Sequence, residues 1–100
     1  MKLRKTVIGG EQFEDDYVVR NEGRSIGRIR LANERSWQGD VWEWNITIPL
    51  PIPAWGSGTA ATLFDAKADF KTAWDKFSAD LTYEQVRRWH AAQDSRGADI

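Results

Sequence analysis

The stretch VWEWNITI, residues 41–48, decides the fold. Trp42, Trp44, Ile46 and Ile48 occupy every second position, with Val41, Glu43, Asn45 and Thr47 between them. Successive side chains of a strand point to opposite faces, so this segment has one apolar face and one mostly polar face. Its aromatic and β-branched residues suit a half-buried pleated surface. The pattern is that of an antiparallel strand with one side on a core and the other in water. The apolar side needs a cover. Leu63, Ala66, Phe70, Ala73, Trp74 and Phe77 recur at helical spacing and form the one long apolar stripe in the chain. Thr62, followed three residues later by Asp65, opens that helix as a capping-box-like pair. Sheet and helix should therefore pack face to face.

Working outward, YVVR (17–20) and RSIGRIRL (24–31) flank Asn21-Glu22-Gly23 and predict a β-hairpin. Gly23 is expected at the positive-φ position that closes a type I turn with a bulge. Strand alternation places Tyr17, Val19, Ile29 and Leu31 inward, with Gly27 leaving room for an indole ring. RKTVI (4–8) predicts a short strand, EQFEDD (11–16) a polar loop, and ANERSWQGD (32–40) a longer connection. Downstream, PLPIPAWG places prolines at 49, 51 and 53. Each proline fixes φ and lacks a ladder donor, so the segment is expected to end the strand and turn towards the helix. Trp55 is expected to fold over an end of the core near Phe64. Thr82 and Gln85 form a second capping box, with Leu81 placed to staple against Val86 and the helix ending near Gln93.

The chain is thus expected to be one α+β domain over residues 1–93, with 94–100 as a flexible tail. Its architecture is a three- to four-stranded antiparallel meander packed on one face by a C-terminal helix, plus a second short helix. One hundred residues bury roughly 60–68% of the unfolded surface, enough for a single core. Six tryptophans help to fill it. The absence of cysteine excludes disulfides and thiolate metal sites, which fits a reducing compartment. No apolar run approaches a membrane span, and the N-terminal residues lack the apolar core of a signal peptide. A cytoplasmic location without membrane contact is expected.

If Ile29 and Leu31 point inward, Arg24, Ile26, Arg28 and Arg30 point outward. Val18 and Arg20 lie beside them, with Glu43, Asn45 and Thr47 on the next strand. Arg20, Arg24, Arg28, Arg30, Glu43 and Asn45 are therefore the candidate binding surface, and Trp55 at the proline corner is added to it. The face reads either as a solvated surface of cross-strand ion pairs or as a contact surface. Formal charge is −1 overall. That lacks the basic excess of a typical nucleic-acid binder, although arginines on a sheet can read phosphates and base edges.

Catalytic chemistry finds little support. His90 is the lone histidine, Glu11 with Glu14–Asp16 matches no calcium loop, and no serine sits in a nucleophile elbow. GSGT (56–59) lacks the lysine and spacing of a phosphate loop. No catalytic residue, metal or cofactor is expected.

DDYVVRNEGRSIGRIRL, WEWNITIP and GTAATLFDAKADFKTAWDKF resemble segments of a group of short uncharacterised bacterial proteins, over roughly residues 15–78. That resemblance implies a compact domain and transfers no catalytic residue. The order of three antiparallel strands and a helix is similar to AP2-like and integrase N-terminal DNA-binding domains, which bind DNA through the sheet. The analogy implies Arg24, Arg28 and Arg30 as the matching surface. The expected function is a non-enzymatic interaction domain for an unknown protein partner or a second copy of the chain. The alternative is a nucleic-acid-binding domain using the arginine-bearing face.

Overall fold

The computed structural model of the chain describes residues 1–8, 10–32 and 41–98. Most of the expected connection at 32–40, including Trp37, lies outside the described residues. The elements are β1 (Lys2–Ile8), β2 (Glu11–Asn21), β3 (Arg24–Ala32), β4 (Val41–Ile46), β5 (Ser57–Ala60), α1 (Leu63–Ala79) and α2 (Tyr83–Ala98). The strands form one antiparallel meander in the order β1-β2-β3-β4-β5. The fold is α+β, with one more strand than the alternation pattern counted. Both helices pack on the same side of the sheet, through a core of Val19, Ile26, Ile29, Trp44, Ile46 and Ile48 against Ala66, Phe70, Ala73, Trp74, Phe77 and Trp89.

The β4 alternation and the α1 stripe meet as expected. The Thr62 hydroxyl accepts from the Asp65 N–H at 3.1 Å and caps α1. Ala66, Phe70, Ala73, Trp74 and Phe77 are all buried. Gly27 does leave room for a ring, but the ring is a phenyl. A β-carbon there would lie 2.2 Å from Phe70 Cε2. The Trp44 indole instead lies over Gly58, where a β-carbon would meet Cζ2 at 2.8 Å. Phe64 covers nothing and is 79% exposed.

Four expectations need correction. First, EQFEDD is strand rather than loop, because β1 supplies a ladder partner: Ile8 pairs with Glu11 and Val7 with Gln12. Tertiary pairing overrides the polar composition. Asp15, at φ 59, lies where the register jumps between that pairing and Lys5 with Tyr17.

Second, the hairpin turn is tighter than a type I turn with a bulge. Asn21 pairs with Arg24, and the two loop residues between them, Glu22 and Gly23, have φ of 52 and 78. Two consecutive positive φ values make a type I′ turn, whose twist matches that of the strands. The bulge sits further along. Val19 pairs with Gly27 but Arg20 pairs with Ser25, leaving Ile26 as an extra residue. One inserted residue advances the alternation by one. Ile26, expected outward, is therefore fully buried.

Third, the proline corner is a hairpin connection. After Ile48 the chain passes Pro49–Pro53 and a short 3-10 turn at Ala54–Gly56, then returns as β5. GSGT thus spends its backbone on the ladder: Ser57 pairs with Asn45 and Thr59 with Glu43. Fourth, α2 runs to Ala98 rather than ending near Gln93, so residues 94–98 are helical and not a loose tail. Its start is as expected. The Gln85 N–H donates to the Thr82 hydroxyl at 3.1 Å, and the Thr82 N–H donates to Gln85 Oε1 at 2.9 Å.

Candidate functional site

The helix-free face of the sheet gathers most of the candidate residues. Register places Arg4, Val18, Arg28, Asn45 and Ser57 in one row across the five strands. The next row holds Asp16, Arg30, Glu43 and Thr59. At the β1 end, Lys2 stands opposite Arg20. Both helices lie on the other side, so no described element covers these rows.

The arginines in the middle are engaged. Arg28 grips Asp16 with two donors, Nε reaching Oδ1 at 2.9 Å and Nη2 reaching Oδ2. That paired hydrogen bond raises the Arg28 pKa above its ordinary value. Partial burial opposes the shift, and the Asp16 charge adds to it. Arg30 Nη2 donates to Glu43 Oε2 at 3.2 Å. The bonding leaves the side chains of Arg28 and Arg30 46% and 38% exposed. Arg20 Nη2 donates to the Gly23 carbonyl at 2.6 Å.

Charge on the face is unequal. In the ladder rows Lys2, Arg4, Arg20, Arg28 and Arg30 oppose Asp16 and Glu43 among the described residues, and Glu22 of the adjoining turn borders Lys2, Arg4 and Arg20. The excess cations cluster at the β1 end. Like charges set opposite each other across a ladder are unfavourable to the fold.

Two candidate residues lie elsewhere. Arg24 precedes the bulge and so shares the inward side with Ile26. Its Nη1 donates to Gln93 Oε1 at 3.2 Å and to Asp94 Oδ1 at 3.1 Å, both on α2. It is a clasp between hairpin and helix, separated from Arg28 and Arg30 by the thickness of the sheet. Trp55 also lies on the helix side, at the end of the proline corner. It meets Phe77 edge-on at 6.2 Å, and Lys76 Nζ sits 4.4 Å over its ring. It is not near Phe64 as expected, yet it remains 39% exposed. A cavity of about 320 Å³ opens between Trp55, the Trp44 rim, Ala73 and Asp69.

Asp16 belongs to the site and was read as loop. The signal for it was the hairpin itself. Counting pairs outward from the turn places residue 16 opposite residue 30, once the extra residue on β3 is allowed for. The half-buried His90 places its ring 4.6 Å from that of Trp89. No group of three His, Asp or Glu side chains that would hold a metal occurs among the described residues, and none of their helices is long and apolar enough to cross a membrane.

No family model, curated protein or solved structure matches the chain. The functional reading therefore rests on the geometry.

Proposed function

We propose that the chain is a non-enzymatic interaction domain whose contact surface is the helix-free sheet face, and that its partner is a protein presenting carboxylates. One observation carries the reading: five cations share the rows of that face with two carboxylates among the described residues, Glu22 adds a third at the adjoining turn, and no described element covers the face. Both helices pack on the opposite side, so the core is built without this face. Lys2, Arg4 and Arg20 attract discrete acidic groups, while the Arg28–Asp16 and Arg30–Glu43 pairs offer half-exposed guanidinium edges beside fixed carboxylates. Mixed charge of this kind favours specificity and orientation over raw affinity.

The same arrangement weighs against a nucleic-acid partner. A phosphate backbone would run past Asp16 and Glu43, and arginines already held by carboxylates release fewer counterions on binding.

A photo-crosslinking side chain placed at Asn45, in the middle of the face, tests the proposal in the native cell. The control position is Lys71 on the exposed side of α1. A discrete protein adduct from position 45, absent from position 71 and lost when Arg4 and Arg20 are both changed to Glu, is the expected result. An adduct with nucleic acid, or the same adducts from both positions, refutes the proposal.

A further inference from the structure

A second set of groups converges on the other side of the sheet. The β2–β3 turn, the end of α1 and α2 enclose a cavity of about 390 Å³. Trp74, Leu81, Val86 and Trp89 form its apolar walls, and the two indoles meet edge-on at 5.7 Å. Arg24, Asn21 and His90 contribute hydrogen-bonding groups to the rim, with Glu22 as its one carboxylate. This cavity joins apolar walls to several polar groups, and its volume lies at the small end of the range for small-molecule sites.

The position of Arg24 points to the ligand chemistry. Gln93 steadies it from α2, accepting from Arg24 while its Nε2 donates to the Ser25 carbonyl at 2.9 Å. Asp94 accepts from both Nη1 and Nη2, yet its side chain is 68% exposed. Arg24 thus stands between this cavity and a neighbouring one that Gln93 and Asp94 line, and there it already binds one carboxylate that solvent reaches freely. Such an exposed pair is weak and exchangeable.

We infer that this cavity binds a small aromatic carboxylate, with its ring against the Trp74 and Trp89 walls and its carboxylate on Arg24 in place of Asp94. A guanidinium matches a carboxylate in paired geometry. Glu22 at the rim disfavours a doubly charged phosphate, so a monoanion fits better. The volume suits one or two fused rings. This site lies on the opposite side of the sheet from the proposed protein surface and stands independently of it.

Indole-3-acetate is the probe, with its methyl ester as the uncharged control. Both are titrated into uniformly ¹⁵N-labelled protein and followed through the Trp89 Nε1–H resonance, assigned with the Trp89→Phe variant. A molecule of this size at ordinary ligand efficiency binds with a Kd of about 1 mM. The acid is expected to shift the Trp89 indole resonance saturably and the ester to bind at least several-fold more weakly. Asp94→Asn removes the competing carboxylate and tightens acid binding about twofold to fivefold. Arg24→Gln abolishes the preference for the acid over the ester. An unmoved Trp89 resonance at about 10 mM acid in the folded wild-type protein, equal binding of acid and ester, or unchanged affinity in Asp94→Asn overturns the inference.

Discussion

Gly27 is a point of close approach between sheet and helix, and Gly27→Ala tests the packing directly. A β-carbon there would lie 2.2 and 2.3 Å from Phe70 Cε2 and Cζ, and 2.6 Å from the Asn45 carbonyl oxygen. Phe70 is fully buried and cannot swing away. The carbonyl belongs to β4 and moves only with the ladder. Overpacking of this kind costs about 1–3 kcal/mol, and contacts this short place it at the upper end. The lower entropy of the unfolded alanine chain offsets about 0.5 kcal/mol. The net loss is therefore about 2–3 kcal/mol, a large part of the roughly 5–15 kcal/mol that stabilises a domain of this size. At a urea m-value of about 1.5 kcal/mol/M the unfolding midpoint, followed by tryptophan fluorescence, falls by roughly 1.5 M. Phe70→Leu removes the two ring atoms nearest the new methyl. In that background Gly27→Ala should cost only about 1 kcal/mol, the part due to the Asn45 carbonyl, and the cycle isolates the coupling. A Gly27→Ala variant within about 0.5 kcal/mol of wild type, or an equal cost in both backgrounds, would refute the packing described here.

Three further outcomes follow from the same geometry. Glu22 has φ 52 in the β2–β3 turn, where a glutamate side chain is strained. Glu22→Asn restores the preferred Asn-Gly turn and should raise stability by about 1 kcal/mol, seen as a higher Tm in calorimetry. Thr82→Ala removes the hydroxyl half of the α2 capping box, leaves the backbone N–H that Gln85 Oε1 accepts from, and should cost about 1 kcal/mol. Amide exchange should speed up in the first turn of α2 and stay unchanged in α1. The Arg28–Asp16 pair should show a coupling of about 1 kcal/mol or less in a double-mutant cycle, reduced by salt, because Arg28 is half exposed. Asp16 raises the Arg28 pKa, so wherever Asp16 is ionised the coupling is complete below the unfolded arginine value and is lost only as pH rises through the higher folded one. Both arginine values lie far above neutral, so the coupling should not change between about pH 7 and 10.

Local periodicity made much of this fold legible. The 41–48 alternation and the 63–77 stripe are set by residues within one element, and each buried the face it predicted. The capping boxes at Thr62 and Thr82 are equally local. Features that depend on a partner strand were hidden. Ser57–Ala60 carries no alternating apolar signal. It is a strand because β4 offers its edge and because Gly58 gives the Trp44 ring somewhere to lie. Glu11–Asp16 is strand because β1 pairs with it, against its composition.

The bulge had the largest functional consequence. Alternation read straight through β3 puts Arg24, Arg28 and Arg30 on one surface, the arrangement of a sheet-face DNA binder. The single extra residue, Ile26, reverses the phase for everything before it. Ile26 then enters the core, and Arg24 turns to Gln93 and Asp94 on α2. The arginines are thereby divided. Two stay on the open face, held by Asp16 and Glu43, where the nearby excess cations suit an acidic protein surface. The third stands at the rim of an aromatic-walled cavity with one weak carboxylate partner. A one-residue insertion in β3 thus separates two chemically different surfaces that the unbroken pattern would have merged, and it lets each be perturbed without disturbing the other.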